Sequence, residues 1–350
     1  MKKLTLVLAL VLAMTALAGC AGTPVIYHED CDCPGNEVVI QTPEAVLPEG
    51  AVKTGLYIGT GLETSSAGEE GGKVKYDVTL VAVNVDDNGV ITDCVIDSLP
   101  ATVSFDANGS FLSDPAAPLQ TKNEMGEAYG MKAYGGSKYE WNEQVAAVAQ
   151  YAVGKTVEEL KSGAVNESGM AADADLAATA TIYIGSYVRG IEEAVNNARH
   201  LGAQADDDLR LAVLGSCADS KAAGEEAGVA QLNVDVTALT LNGDTITSCC
   251  LDALQAKVSF DMDGVVSADI PEFLTKNQLG EAYGMKAYAG SKYEWNEQAA
   301  AFAAYITGKT AADVRGIAVT ETNAPAEADL ASTVTIAIGG FQALVEKACQ

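Results

Sequence analysis

Apolar and polar positions alternate along several stretches of the chain. Val234, Val236 and Ala238 are separated by Asn233, Asp235 and Thr237, the period-two signature of a half-buried strand. Asn88-Gly89 and Asn242-Gly243 mark hairpin turns, because both residue types tolerate positive φ. A further strand is expected around Phe105 and another around Phe260, each followed by turn residues. The period then changes. Helices are predicted over about 140–153 and 294–307, stopped by Gly154 and Gly308. Thr156-Val-Glu-Glu159 is a capping box for a next short helix, and Thr310-Ala-Ala-Asp313 is its weaker equivalent. Ile184, Val188, Ile191 and Val195 share one face of a closing helix. Strands followed by helices indicate an α+β fold.

This order occurs twice. The 35 residues from Lys122 to Thr156 match those from Lys276 to Thr310 at 27 positions, at an offset of 154. The likeness extends outward: Val103-Ser-Phe-Asp106 answers Val258-Ser-Phe-Asp261, and the segment from Asp175 to Thr181 answers Asp329 to Thr335. A period this long is a duplicated domain and not a solenoid. Copy 1 is placed at 51–200 and copy 2 at 207–350, with a polar boundary at 199–208. Each copy is expected to be a β-meander, a long Gly/Tyr-rich loop and C-terminal helices.

The chain's N-terminal part changes the picture from fold to address. Lys2 and Lys3 precede an apolar run, Leu4 to Leu17, which ends in Leu17-Ala18-Gly19-Cys20. The run is too short to span a bilayer and has the layout of a signal peptide, 1–20. Small residues directly before a cysteine resemble the bacterial lipobox, which implies that Cys20 is acylated and anchors the chain on the extracytoplasmic face of the cell membrane. Residues 21–50 hold four of the nine prolines and read as a flexible linker.

Charge and cysteine content narrow the chemistry. The net charge is −27, and −29 once Lys2 and Lys3 are removed with the signal, so nucleic acid is excluded as a partner. Seven cysteines remain besides Cys20, an odd number that cannot all pair. Cys31-Asp-Cys33 and Cys249-Cys250 lack zinc spacing, and the only histidines are His28 and His200. No metal site and no catalytic constellation is expected; a Gly-x-Ser-x-Gly elbow is absent.

Two features could carry chemistry. The Gly/Tyr segments contain both tryptophans, Trp141 and Trp295, and six of the thirteen tyrosines. Tyr129, Lys132 and Tyr134 in copy 1, with Tyr283, Lys286 and Tyr288 in copy 2, combine aromatic faces with a cation among glycines, which suits a planar anionic ligand. The same aromatics also suit a role wedging a loop onto the sheet. The second feature is Asp-Leu-Ala-x-Thr-x-Thr, which places Thr181 and Thr335 near the N-terminus of the closing helix, where free N–H groups meet a phosphate or where a hydroxyl simply caps.

The Gly-rich first strand, the Asn-Gly hairpin and the Asp-to-Thr motif before a final helix resemble the bacterial FMN-binding domain family. The segment TKNEMGEAYGMKAYGGSKYEWNEQ resembles exported flavoprotein lipoproteins of extracellular electron transfer. The resemblance implies FMN joined by a flavin transferase through its phosphate to Thr181 and Thr335, with Asp175 and Asp329 as the motif aspartates. Thr179 and Thr333 stand where that motif has glycine. It further implies an electron carrier fed by a membrane donor, more a redox carrier than a catalyst with its own substrate. The alternative is a flavin-free surface ligand-binding or interaction lipoprotein on the same duplicated fold.

Overall fold

The computed structural model describes residues 47–68 and 71–350. The signal peptide, Cys20, His28, Cys31, Cys33 and the linker up to residue 46 lie outside the described residues. Copy 1 begins with three antiparallel strands, β1 (Lys53–Gly68), β2 (Gly71–Val85) and β3 (Ile91–Phe105), in the order β1-β2-β3. Helices α1 (Lys122–Met125), α2 (Trp141–Ala152), α3 (Val157–Ala164), α4 (Ala174–Ala177) and α5 (Gly185–Asn197) follow. Copy 2 repeats the meander as β4 (Asp208–Ser216), β5 (Gly228–Asn242) and β6 (Thr245–Phe260). Its helices are α6 (Lys276–Leu279), α7 (Met285–Ala289), α8 (Trp295–Ile306), α9 (Ala311–Arg315), α10 (Ala328–Ala331) and α11 (Gly339–Ala348). The fold is α+β, two meanders in tandem with helices after each.

The alternation read at 233–238 lies in β5, with Val234 and Val236 buried. Each sheet is covered on both faces. On one face of the first sheet, Val81, Val83 and Ile96 pack against Val145, Val148, Ile191 and Ala194 of α2 and α5. The second sheet does the same with Leu239, Leu251, Phe302 and Leu344. The opposite faces meet each other. Val78, Leu80 and Val103 share one core with Leu232, Val236 and Val258. Phe105 stacks on Phe260 with ring centroids 3.9 Å apart. The polar groups caught between the copies are paired, as a buried group must be: Tyr76 donates its hydroxyl to the Ala230 carbonyl at 2.8 Å, and Thr54 and Ser248 share a 2.9 Å hydroxyl contact. Residues 47–350 thus form one compact unit with layers helix, sheet, sheet, helix.

Close approach of α5 to the sheet requires glycine at Gly55: a β-carbon there would lie 2.0 Å from the Ala194 carbonyl oxygen. Two sequence readings change. The Gly/Tyr segment is a chain of single helical turns, α1 and the turn Gly126–Tyr129 in copy 1, and α6, Gly280–Tyr283 and α7 in copy 2. Capping boxes at Thr121 and Thr275 start those turns, and so short a run can cap locally without apolar periodicity. The closing helices also begin later than Thr181 and Thr335; their N-caps are Ile184 and Ile338. Among the described residues, no helix is long and apolar enough to cross a membrane.

Candidate functional site

Copy 2 contains a cavity of about 670 Å³ between the Gly/Tyr segment, β5 and the start of α11. A cavity of this size is in the range of small-molecule sites, roughly 300–1,000 Å³. Its walls are Tyr283, Tyr288, Trp295 and Phe341; Asp235 and Lys276 supply charge; Ile336, Ala337 and Gly340 form one rim. Among the described residues, no group of His, Cys, Asp and Glu has the arrangement of a metal site.

Local sequence positions each wall. Thr275 caps α6 and sets Lys276 at its first position, where the ammonium lies 5.1 Å from the Tyr283 ring centroid and 4.8 Å from that of Trp295. Such cation–π contacts hold the charge without neutralising it. Trp295 opens α8, whose N-cap Glu294 folds into a capping box with Glu297. The Glu294 carboxylate also accepts from the N–H groups of Met285 at 2.8 Å and Lys286 at 3.1 Å, pinning the aromatic segment to the helix. Gly284 has φ +84°, and a β-carbon there would lie 2.5 Å from the Tyr288 ring. That ring is 91% exposed although it lines the cavity.

Gln298, fully buried on α8, joins the two sequence features. Its Oε1 accepts from Thr335 N–H at 2.7 Å, Thr335 Oγ1 at 3.1 Å and Ile336 N–H at 3.2 Å. Its Nε2 donates to Ser291 Oγ at 3.2 Å and the Tyr293 carbonyl at 3.0 Å. One amide therefore fixes the Thr335 segment and the aromatic segment to the same helix. Gln144 repeats the arrangement in copy 1 with Thr181, Ser137 and Tyr139. Thr335 is exposed, and the next residue, Ile336, lines the cavity. Burial raises the Asp235 carboxyl above the ordinary range, and Lys276 partly opposes this.

Of the predicted residues, Tyr283 and Tyr288 line the cavity, and Thr335 is outside the lining but next in sequence to Ile336, which is part of it. Lys286 does not line it; its ammonium is held 2.7 Å from Glu297. Lys132 is held in the same way 3.1 Å from Glu143. Asp175 and Asp329 are exposed on the one-turn helices α4 and α10, outside the cavity lining. Tyr129 lies beside Lys122, whose ammonium is 5.4 Å from its ring centroid, and Tyr134 is exposed. Sequence reasoning passed over Lys276, Asp235, Gln298 and Phe341. Lys276 and Gln298 lie inside the repeated 35 residues, so the duplication itself was a usable signal. Asp235 was read only as the polar half of a strand alternation.

No protein-family model matches the chain, and no solved structure matches it. Among curated proteins, a region of 161 residues is 30% identical to a protein named chlorophenol reductase from Desulfitobacterium hafniense. The match covers 39% of this chain and spans about half, 49%, of that protein's length.

Proposed function

We propose that the cavity of copy 2 binds FMN and that the protein is an electron carrier held at the outer face of a membrane through acylated Cys20. The observation that carries this reading is the cavity itself: aromatic walls, and one ammonium, Lys276, that forms no salt bridge among the described residues, with the exposed Thr335 next in sequence to the lining residue Ile336. A planar ring and a phosphate need those features together. The relative named for a reductase supports a redox cofactor.

FMN in this place would supply one- and two-electron transfer at its ring. The chain's residues do the rest. Trp295, Tyr283 and Phe341 would shield one side of the ring from water, and the exposed Tyr288 offers a further aromatic face. Lys276 balances negative charge. Asp235 lines the same cavity, where burial raises its carboxyl above the ordinary range and Lys276 partly opposes this. Thr335 Oγ1, fixed by Gln298, is the position to which a transferase would join the phosphate.

The test is intact mass and visible absorbance of the mature protein co-expressed with a flavin transferase. A flavin mass increment that survives Thr181→Ala and is lost in Thr335→Ala is the expected result. A colourless protein without added mass, which also takes up no FMN when it is supplied, would exclude the reading and favour a flavin-free binding module.

A further inference from the structure

The two copies place the same elements around the same position, and they differ in what occupies it. In copy 1 the lysine equivalent to Lys276 is Lys122. It is only 5% exposed, and its ammonium contacts both carboxylate oxygens of Asp77 at 3.1 Å. Asp77 also accepts from Ser98 Oγ. The equivalent tryptophan, Trp141, donates its indole N–H to the Tyr187 hydroxyl at 3.1 Å. Charge and donor are thus both satisfied inside the chain.

Copy 2 has none of these partners. Strand register aligns Asp77, opposite Gly61 and Pro100, with Asn233, opposite Ser216 and Gln255. Asn233 is neutral and is turned to Asp219, to which its amide donates at 2.7 Å. Ala253 stands in the place of Ser98, and Phe341 in the place of Tyr187. Phe341 meets Trp295 edge-on at 5.8 Å and has no hydroxyl to accept its N–H. Asp235, in the place of Thr79, lines the cavity and feels the charge of Lys276, but forms neither a salt bridge nor a hydrogen bond with it of the kind that ties Lys122 to Asp77. A lysine and an indole donor are left to a ligand in copy 2 alone.

From this difference, and resting on the flavin reading above, we infer that each chain takes one planar anionic cofactor, in copy 2. Copy 1 is a closed site in which Asp77 and Tyr187 stand where the ligand's acceptors would. Lys276 is the residue that recognises the anion.

Equilibrium dialysis of FMN against the full mature chain tests this. One equivalent bound is expected. Lys276→Gln should weaken binding by about ten- to a hundredfold, the size expected for losing a hydrogen bond to a charged group. Phe341→Tyr, which restores the copy 1 acceptor beside Trp295, should also weaken it. The paired variant Asp77→Asn with Lys122→Gln removes both charges of copy 1 together and should change neither stoichiometry nor affinity; circular dichroism confirms that each variant is folded. Two equivalents bound, unchanged affinity in Lys276→Gln, or loss in the paired variant equal to that in Lys276→Gln overturns the assignment to copy 2 while the flavin reading stands. No saturable FMN binding by the wild-type chain overturns both.

Discussion

Gln298 is a single side chain whose six hydrogen bonds hold the aromatic segment and the Thr335 segment on α8. Leucine there would leave buried donors and acceptors without partners. Gln298→Leu is therefore expected to destabilise the protein by about 3 kcal/mol, measured by denaturant unfolding; a change near zero would show that the segment is held otherwise. Asp252 acts on the neighbouring turn, accepting from the Asn277 N–H at 3.0 Å. Burial raises its carboxyl to about 6, against smaller opposing effects of Thr275, Asn277, Ala253 and Lys276. With a folded pKa above the unfolded value of about 3.9, the native chain keeps a proton that the unfolded chain releases. This group's contribution is full below about pH 4 and is lost as pH rises through about 6. Asp252→Asn removes the titration, so its melting temperature relative to wild type should be higher at pH 7 than at pH 4 by calorimetry. A difference independent of pH contradicts this. The sequence showed the polar residues but not their partners: Gln298 and Thr335 are 37 residues apart, and only the packing of α8 brings them together.

At the scale of elements, the strands, the long helices and their stops were legible because each leaves a local mark. Alternation placed β5, and Gly154 and Gly308 closed α2 and α8 with φ of +81° and +84°. The aromatic segment was not legible as helical turns, because each turn is set by one cap and not by a repeating face. For the same reason sequence proximity suggested Lys286 as the cation among aromatics, whereas the fold ties Lys286 to Glu297 and presents Lys276. Gly284 tests whether these turns shape the cavity. Gly284→Ala forces a side chain into positive φ and against the Tyr288 ring. It should weaken FMN binding and lower the melting temperature together; an unchanged affinity for FMN would show that Tyr288 and its turn take no part in the site.

At the scale of the molecule, duplication was plain in the sequence, yet the shared core was not. A repeat shows that two units are alike and is silent on which faces meet. Here Val78 and Val103 pack with Val236 and Val258, and Phe105 stacks on Phe260. Either copy expressed alone would expose that apolar face, so isolated copies should aggregate or bind a hydrophobic dye. The intact chain should unfold in one transition that near- and far-ultraviolet dichroism report alike; two separated transitions would contradict a common core. The proposed anchor belongs to the same scale: if Cys20 is acylated, Cys20→Ser should move the protein from the membrane fraction to the soluble one, and an unchanged distribution would contradict it. The flavin site of copy 2 is tested by the fluorescence of FMN titrated with the mature protein. Aromatic rings around a bound flavin should quench its emission saturably at one equivalent, and Lys276→Gln should shift that curve to higher protein concentration. Emission unchanged in excess wild-type protein would contradict a flavin site in copy 2.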